Sequence, residues 1–509
     1  MNSLLLGLTF LPLVGALVTS LITSRFSKMI AMGFSLVGVL LAAILYIEFD
    51  ANRSQDFQFV FSYPWISSFN IKFAFGVDGL SFPLVLLTKF MLPIAILASW
   101  HEKKWPRAFM SCYLLLDFAM TGTFLTTDIF VFYVFWELML IPMILMIGVW
   151  GSKDRIFASL KFFMYTFAGS IFMLVAIFYM VHLFQQTHQV YSAEISSFYG
   201  LTFPTDIFLG LSVQQWIFLA FTFAFAIKVP LFPFHTWLPD AHVQAPTGGS
   251  VLLAAVLLKM GTYGLLRFSI PIAPLGFQSF IPPLVILSLV GIIYGAFVAF
   301  QQTDMKKLVA YSSVSHLGYV VLGICVTNSL GLTGAVLQMV NHGLSSGALF
   351  FLVGVLYEQR HSRNFSDYGG IAAVVPVYAF FLVFVACSSM AVPGLNGFVG
   401  EFLILAGTFA KNPYWCGVAV LGVVFGALYL LWMIRNVLFG EITSSENKSL
   451  KDINTAQWCA LVPMCLLILA LGLFPNLLLS KIKNSLENYW AAPQNPTAIS
   501  LGISKDKKL

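Results

Sequence analysis

The stretch from Phe223 to Lys259, FAFAIKVPLFPFHTWLPDAHVQAPTGGSVLLAAVLLK, limits what this chain can fold into more than any other. It begins as an apolar helix and then places Lys228 inside that helix. Pro230 and Pro233 follow, each lacking a backbone N–H and clashing with the preceding turn, so the helix must break there. His235, Trp237, Asp240 and His242 come next, then a Pro-Thr-Gly-Gly turn and a second apolar run ending on Lys259. Broken helices and buried charges survive in a bilayer only where protein or a water-filled cavity satisfies them.

Composition says that the solvent is a bilayer. Of 509 residues, 59% are hydrophobic and 9% charged, against about 25% charged in soluble domains. Such a chain cannot cover a water-facing surface. Its apolar runs reach the roughly 20 residues that cross a hydrocarbon core. The first, Leu4 to Leu21, lacks the basic start and small-residue cleavage site of a signal peptide and reads as a retained helix. The net charge of +6 sits mostly in loops and points to membrane orientation rather than nucleic acid. Six cysteines without a C-x-x-C pair read as small packing residues. With no cysteine set for an iron–sulfur cluster and no G-x-G-x-x-G after a strand, any redox chemistry is expected in a partner.

The sequence predicts an all-α polytopic membrane protein of 14 spans: 4–23, 29–47, 80–99, 108–126, 129–149, 162–184, 208–238, 248–267, 281–301, 308–326, 331–357, 371–410, 414–438 and 456–480. Alternate connections collect the positive charge, from Arg25 and Lys28 through Lys306 and Lys307 to Arg435, Lys448 and Lys451. By the positive-inside bias those loops face the cytoplasm, matrix or stroma, and both termini lie on the opposite side. The outer loops are 48–79, with alternation suited to a short hairpin, and 185–207. The tail after Lys481 is polar and expected to be weakly ordered at its end.

A second interruption lies in 371–410, where Pro393 and Gly394 break the run and Glu401 follows. Interrupted spans in corresponding halves point to a transport site built from inverted repeats. Taking spans four to eight and nine to thirteen as units, each break falls in the fourth member, and an odd span number inverts one unit against the other. The expected division is a three-helix segment 1–107, repeats 108–267 and 281–438, and a C-terminal helix and tail 456–509.

Glu137, Lys228, Lys259, His316, His342 and Glu401 all fall inside spans. An ionised side chain at that depth costs several kcal/mol, so these groups should face the bundle interior and share water or partners. Burial favours a neutral lysine and a nearby carboxylate favours a charged one, which suits lysine, glutamate and histidine to a proton relay. Plainer readings stand beside this one. Glu137 and Lys228 could form a structural ion pair, Lys259 and Glu401 could snorkel to an interface, and the two histidines could be hydrogen-bonded packing residues. Pro230, His235, Asp240, His242, Pro393 and Gly394 are read as helix-break and channel-lining residues, with Asp240 and His242 at the cytoplasmic end of the break. Lys89 reads as structural, and the histidines lack metal-ligand spacing.

At this point a resemblance enters. AIKVPLFPFHTWLPDAHVQAPTGGSVLLAAVLLKMGTYGLLRF resembles the signature of the antiporter-like proton-pumping subunits of respiratory complex I. FWELMLIPM, TDMKKLVAYSSVSHLGY, NHGLSSGALFFLVGVLYE and PGLNGFVGEFLIL resemble its other characteristic segments, over about residues 1–480. Glutamate at 401, and a chain that stops soon after its last span, resemble the M-type (chain 4) branch. The resemblance implies Glu137–Lys228 as the pair of one half-channel, Lys259 and the histidines as central relay, and Glu401 as terminal residue of the other. It implies no cofactor in this chain, with NADH, FMN, iron–sulfur clusters and quinone in partner subunits. It also implies L- and N-type antiporter-like neighbours and an energy-transducing membrane such as the bacterial inner membrane, with periplasmic termini. The alternatives are a D-type subunit of a multi-subunit Na+/H+ antiporter, a membrane subunit of an energy-converting hydrogenase, and a purely structural membrane spacer.

Overall fold

The computed structural model describes residues 3–442 and 444–489. Two helices, α1 (Ser3–Leu21) and α2 (Ser24–Glu48), lead to a hairpin of β1 (Gln58–Ile66) and β2 (Ile71–Val77). Helices α3 (Phe82–Ala98), α4 (Pro106–Leu125), α5 (Ile129–Trp150) and α6 (Arg155–His188) follow. The first broken helix is α7 (Val213–Lys228) with α8 (Trp237–Gln244), after which α9 (Thr247–Ile272), α10 (Pro274–Phe300), α11 (Met305–Cys325) and α12 (Ser329–Arg360) run in succession. The second broken helix is α13 (Pro376–Ser389) with α14 (Asn396–Lys411), and α15 (Pro413–Leu438), α16 (Thr455–Leu473) and α17 (Asn476–Tyr489) complete the chain.

Among the described residues, eleven helices are long and apolar enough to cross a membrane. Helices α3, α7 and α13 are shorter apolar helices, two of them being the first halves of the broken pairs. Helices α9 and α12 are wholly enclosed by the rest of the protein, and α11 nearly so, whereas α1, α2, α6, α10, α15 and α16 turn most of their surface outward. The centre of the bundle therefore consists of the helices that carry Lys259, His316 and His342.

Both breaks fall where proline and glycine placed them. In the first, the chain leaves helical geometry after Lys228, and the indole Nε1 of Trp237 donates to the freed carbonyl of Ile227 at 2.9 Å. Beyond it, Lys306 Nζ and Arg363 Nη1 each donate at 2.6 Å to the last carbonyls of α8, those of Ala245 and Val243. Cations suit that end of a helix, where carbonyls lack partners. In the second, Gly394 takes a positive φ of 92°. Asn341 Nδ2 on α12 donates to the carbonyl of Asn396 at 2.7 Å, and the hydroxyls of Ser345 and Ser388 meet at 2.7 Å. Each break is thus tied by side chains to a neighbouring element, as hydrocarbon requires.

Glycines set how closely the central helices approach. A Cβ on Gly334 would lie 2.8 Å from the carbonyl oxygen of Gly400, and one on Gly407 would lie 2.5 Å from the amide of Gly331. Helices α12 and α14 therefore touch backbone to backbone, the small-residue contact of membrane bundles.

One span boundary differs from the sequence expectation, and two further features were not anticipated from it. The span placed at 281–301 begins at Pro274, because a helix in a tightly packed bundle accommodates Pro282 and Pro283 within it. Helix α9 contains two π-helical stretches, Leu253–Leu257 and Leu265–Ser269, that apolar periodicity did not signal. The chain after Lys481 continues as α17, held by Lys481 Nζ to the carbonyl of Phe49 at 2.9 Å and by Tyr489 OH to that of Leu266 at 2.7 Å. The expectation for the end of the tail falls on 490–509, outside the described residues.

Replacing Gly334 by Val should cost about 1–3 kcal/mol through overpacking and lower the unfolding midpoint in detergent, followed by circular dichroism on heating. Gly417→Ala on α15, with nothing within 4 Å of its added Cβ, should leave that midpoint unchanged. A Gly334→Val protein as stable as the parent would contradict the backbone contact.

Candidate functional site

Lys259 sits between the two π-helical stretches of α9, and such widened turns recur at functional sites. Its Nζ turns back to the carbonyl of Ala254 at 2.5 Å and lies 2.6 Å from Nδ1 of His342 on α12. Two basic nitrogens at that separation can share one proton but cannot both present one to the other. The His342 ring is 5.6 Å, centroid to centroid, from that of His316 on α11. His316 Nδ1 is in turn 2.8 Å from Oε1 of Glu401. Lys259, His342, His316 and Glu401 thus form one file across the enclosed centre, and all four are buried.

The sequence did not single out the groups that hold this file in place. Gln338 Nε2 donates to the same Glu401 oxygen at 2.9 Å, and the hydroxyls of Ser389 and Tyr429 stand 3.3 Å from His316 Nε2. Gln338 precedes His342 by four residues and shares its helical face. An amide at that spacing inside an apolar run was the available signal. Gly400 admits Gln338: a Cβ there would meet Oε1 of Gln338 at 2.5 Å.

Lys228 and Glu137 lie in the other half. Lys228 is buried at the end of α7, its ammonium 5.4 Å from the ring centroid of Trp136 and 5.5 Å from that of Phe162. Glu137 is half-buried beside Trp136 on α5, with Ser170 and Lys228 as its polar neighbours. The structure does not join them directly, since Lys228 Nζ and Glu137 Oε1 are both without a hydrogen-bond partner. The structural ion pair considered from sequence is absent.

His235 and His242 occupy the break and α8. His235 packs against Phe232 and Tyr294, and His242 stacks on Phe350 at 4.3 Å. Neither ring nitrogen of either histidine has a partner. Asp240 lies apart from them, paired with Lys161 at 2.7 Å near the surface. It anchors α8, while His242 points into the core. Among the described residues, thirteen buried side-chain nitrogens and oxygens lack a partner, and nine belong to Glu137, Lys228, His235, His242, Gln338, Asn341 and His342. Unsatisfied polarity is thus concentrated around the file and the first break.

Two other buried charge clusters are fully paired. Lys89 Nζ meets both oxygens of Asp117 at 2.8 Å and the carbonyl of Leu8 at 2.7 Å. Arg267 Nη2 holds both oxygens of Asp78 at 2.6 Å, closing the outer end of α9 against the chain just after the hairpin. Asp128 caps α5 through the amides of Phe130 and Val131 and also accepts from Lys72 of β2. Burial pushes its carboxyl up to about 6 while those amides pull the other way. Among the described residues, no group of three or more His, Cys, Asp or Glu could hold a metal ion.

Residues 126–426 match the family model described as NADH:quinone oxidoreductase/Mrp antiporter, TM, and residues 1–127 match NADH-ubiquinone oxidoreductase chain 4, amino terminus. NADH-quinone oxidoreductase subunit M of Rhodobacter capsulatus is 43% identical, over 96% of this chain and 98% of its own. The subunit of the same name from Rickettsia conorii is 40% identical, over 94% and 97%. A chain of respiratory complex I from Thermus thermophilus with bound NADH superposes with a TM-score of 0.87 at 29% identity, over 96% of this chain and 99% of that one.

The two kinds of buried lysine should respond differently to substitution. Lys89→Met strands Asp117 as an unpaired buried charge, at a cost of about 3–5 kcal/mol, and should sharply reduce folded protein recovered from membranes. Lys89→Met/Asp117→Leu should restore much of it, and Lys228→Met should be recovered at the parental level. Equal losses for Lys89→Met and Lys228→Met would end the distinction.

Proposed function

The chain belongs to the M (chain 4) subunits of NADH:quinone oxidoreductase, respiratory complex I, and on that premise we propose that Glu137, Lys228, Lys259, His316, His342 and Glu401 carry its protons. It is an antiporter-like membrane-arm subunit involved in proton translocation. The antiporter and hydrogenase alternatives give way to the 43% identity with subunit M over nearly the whole chain.

One observation carries the residue assignment: the four buried groups from Lys259 to Glu401 are in hydrogen-bond reach at both ends of the file and interrupted only between the two histidine rings. His342 Nε2 is without a partner at that interruption. Buried polar groups need partners, and water there would complete a path from lysine to glutamate. Lys228, His235 and His242 would be linked to Lys259 in the same way. A proton can pass from Lys259 to His342 across their 2.6 Å contact, leaving a neutral amine that accepts from the imidazolium, so a shift in field or hydration along the file changes where the proton rests. NADH oxidation and quinone reduction elsewhere in the complex would supply that shift, with NADH, FMN, iron–sulfur clusters and quinone held by partner subunits.

The architecture fits this reading when each broken pair counts as one crossing. Eleven long helices, α3 and the two broken pairs then make fourteen crossings. The units α4–α9 and α10–α15 each carry their break in the fourth crossing, the arrangement of inverted five-helix repeats. Glu137, half-buried at membrane depth, calls for a neighbour on its open side, which suits L- or N-type antiporter-like subunits. The positively charged connections would face the cytoplasm or matrix, with both termini periplasmic in a bacterial inner membrane.

In purified complex reconstituted in vesicles, Lys228→Met, Lys259→Met and Glu401→Gln should each lower NADH-driven proton uptake roughly tenfold, the effect of about 1.4 kcal/mol on a barrier. The complex should remain assembled on native gels and NADH oxidation by artificial acceptors should persist. Parental pumping in assembled variants would refute the residue assignment.

A further inference from the structure

Away from the proton file, an apolar cleft of about 370 Å³ lies between α2, α3 and α16, with α12 as its floor. Leu87 and Leu344 form the buried floor, and Ala43, Leu467 and Leu477 at the walls are exposed, so the cleft opens to the outside of the bundle. Its surface is almost without polar atoms. Water has no partners there. A flexible hydrocarbon chain suits both the shape and the chemistry.

The outer mouth has the opposite character. Tyr46 lines the cleft and its hydroxyl donates to the carbonyl of Leu477 at 2.8 Å. Lys481, on α17, lies with its ammonium 5.5 Å from the Tyr46 ring centroid and gives one donor to the carbonyl of Phe49. An ammonium has three donors, so two remain. An apolar slot ending in a tyrosine and a lysine on an amphipathic helix is the pattern that meets a phospholipid: tail inward, phosphate at the interface.

We propose that this cleft binds one acyl chain of an anionic phospholipid of the outer leaflet, whose phosphate engages Lys481. The site lies on α12 opposite the face of His342: Val340 and Leu344, two residues to either side of that histidine, line the cleft. A bound tail would thus support the central helix from behind.

The test uses the intact complex in vesicles doped with phosphatidylglycerol or phosphatidylcholine bearing a photoactivatable diazirine on the acyl chain, with adducts mapped by mass spectrometry. Adducts should concentrate on Leu86, Phe90 and Leu471, and should be lost in Ala470→Trp and in Ala43→Phe, which fill the cleft from separate walls. Phosphatidylglycerol should label about fivefold more than phosphatidylcholine, the effect of one lysine near an anionic surface, and Lys481→Gln should abolish that preference. Adducts spread evenly over α6, α10 and α15, labelling unchanged by either filling variant, or equal labelling by the two lipids would each overturn the proposal. So would absence of label in the intact complex, the outcome expected if a neighbouring subunit covers the cleft.

Discussion

Hydrocarbon offers a backbone no hydrogen bonds, and the rest of this structure depends on how the chain meets that constraint at its two broken helices. A helix that stops inside a membrane exposes carbonyls and amides that only protein or confined water can satisfy. Here Trp237 answers Ile227, Lys306 and Arg363 answer the end of α8, and Asn341 answers Asn396. Each answering group comes from a neighbouring element or from across the break. The breaks therefore cannot lie at the periphery; they draw α11, α12 and the loops beyond them into a single enclosed centre. Polar side chains in that centre serve the fold first, and a path for protons becomes possible because polarity is already there.

Partnership then sorts the buried charges into two groups. Lys89–Asp117 and Arg267–Asp78 are closed pairs, each cation touching both oxygens of its carboxylate. Charges so matched hold geometry and have little reason to change state. Lys228, His235, His242 and His342 have unanswered nitrogens, and Lys259 faces another base rather than an acid. Groups of this second kind lack a fixed opposite charge in hydrogen-bond contact, so a nearby change in field or hydration acts on them directly. The same residue type is closed into a pair in α3 and left without a carboxylate partner in α7 and α9.

The sequence made the first group hard to see and the second easy. Charges inside apolar runs stand out one by one, so Glu137, Lys228, Lys259 and Glu401 were legible, as were the breaks at Pro230 and Pro393–Gly394, since proline and glycine act locally. Lys89 was legible as structural, but its partner Asp117 was not, because 28 residues separate them. Gln338, Asn341 and Ser389 were missed because neutral polar residues are common in membrane helices and gain meaning only from what they face. The π-helical stretches around Lys259 were invisible for a related reason: apolar periodicity does not mark them, and the first packs against α12 where Gly343 lets the carbonyl of Ala255 approach to 2.8 Å of a would-be Cβ. Glu137 and Lys228, on α5 and α7, make no direct hydrogen bond, and sequence alone could not show how closely two different helices bring their side chains.

That glycine packing also bears on how the file can work. Gly331 with Gly407 and Gly334 with Gly400 bring α12 and α14 into contact at backbone distance at two points. Interlocked backbones of this kind resist small sliding, because any shift drives a main-chain atom into another rather than bending a side chain. Glu401 directly follows Gly400, and Gln338 lies one turn from Gly334, so the acceptor end of the file sits beside a backbone-to-backbone contact. The lysine end lies in the widened turns of α9 and holds a carbonyl of its own helix. Under the proposed assignment, what varies between these ends is the protonation of the two histidines and the bridging between their rings, and a distant event would reach this subunit through field and hydration along the file.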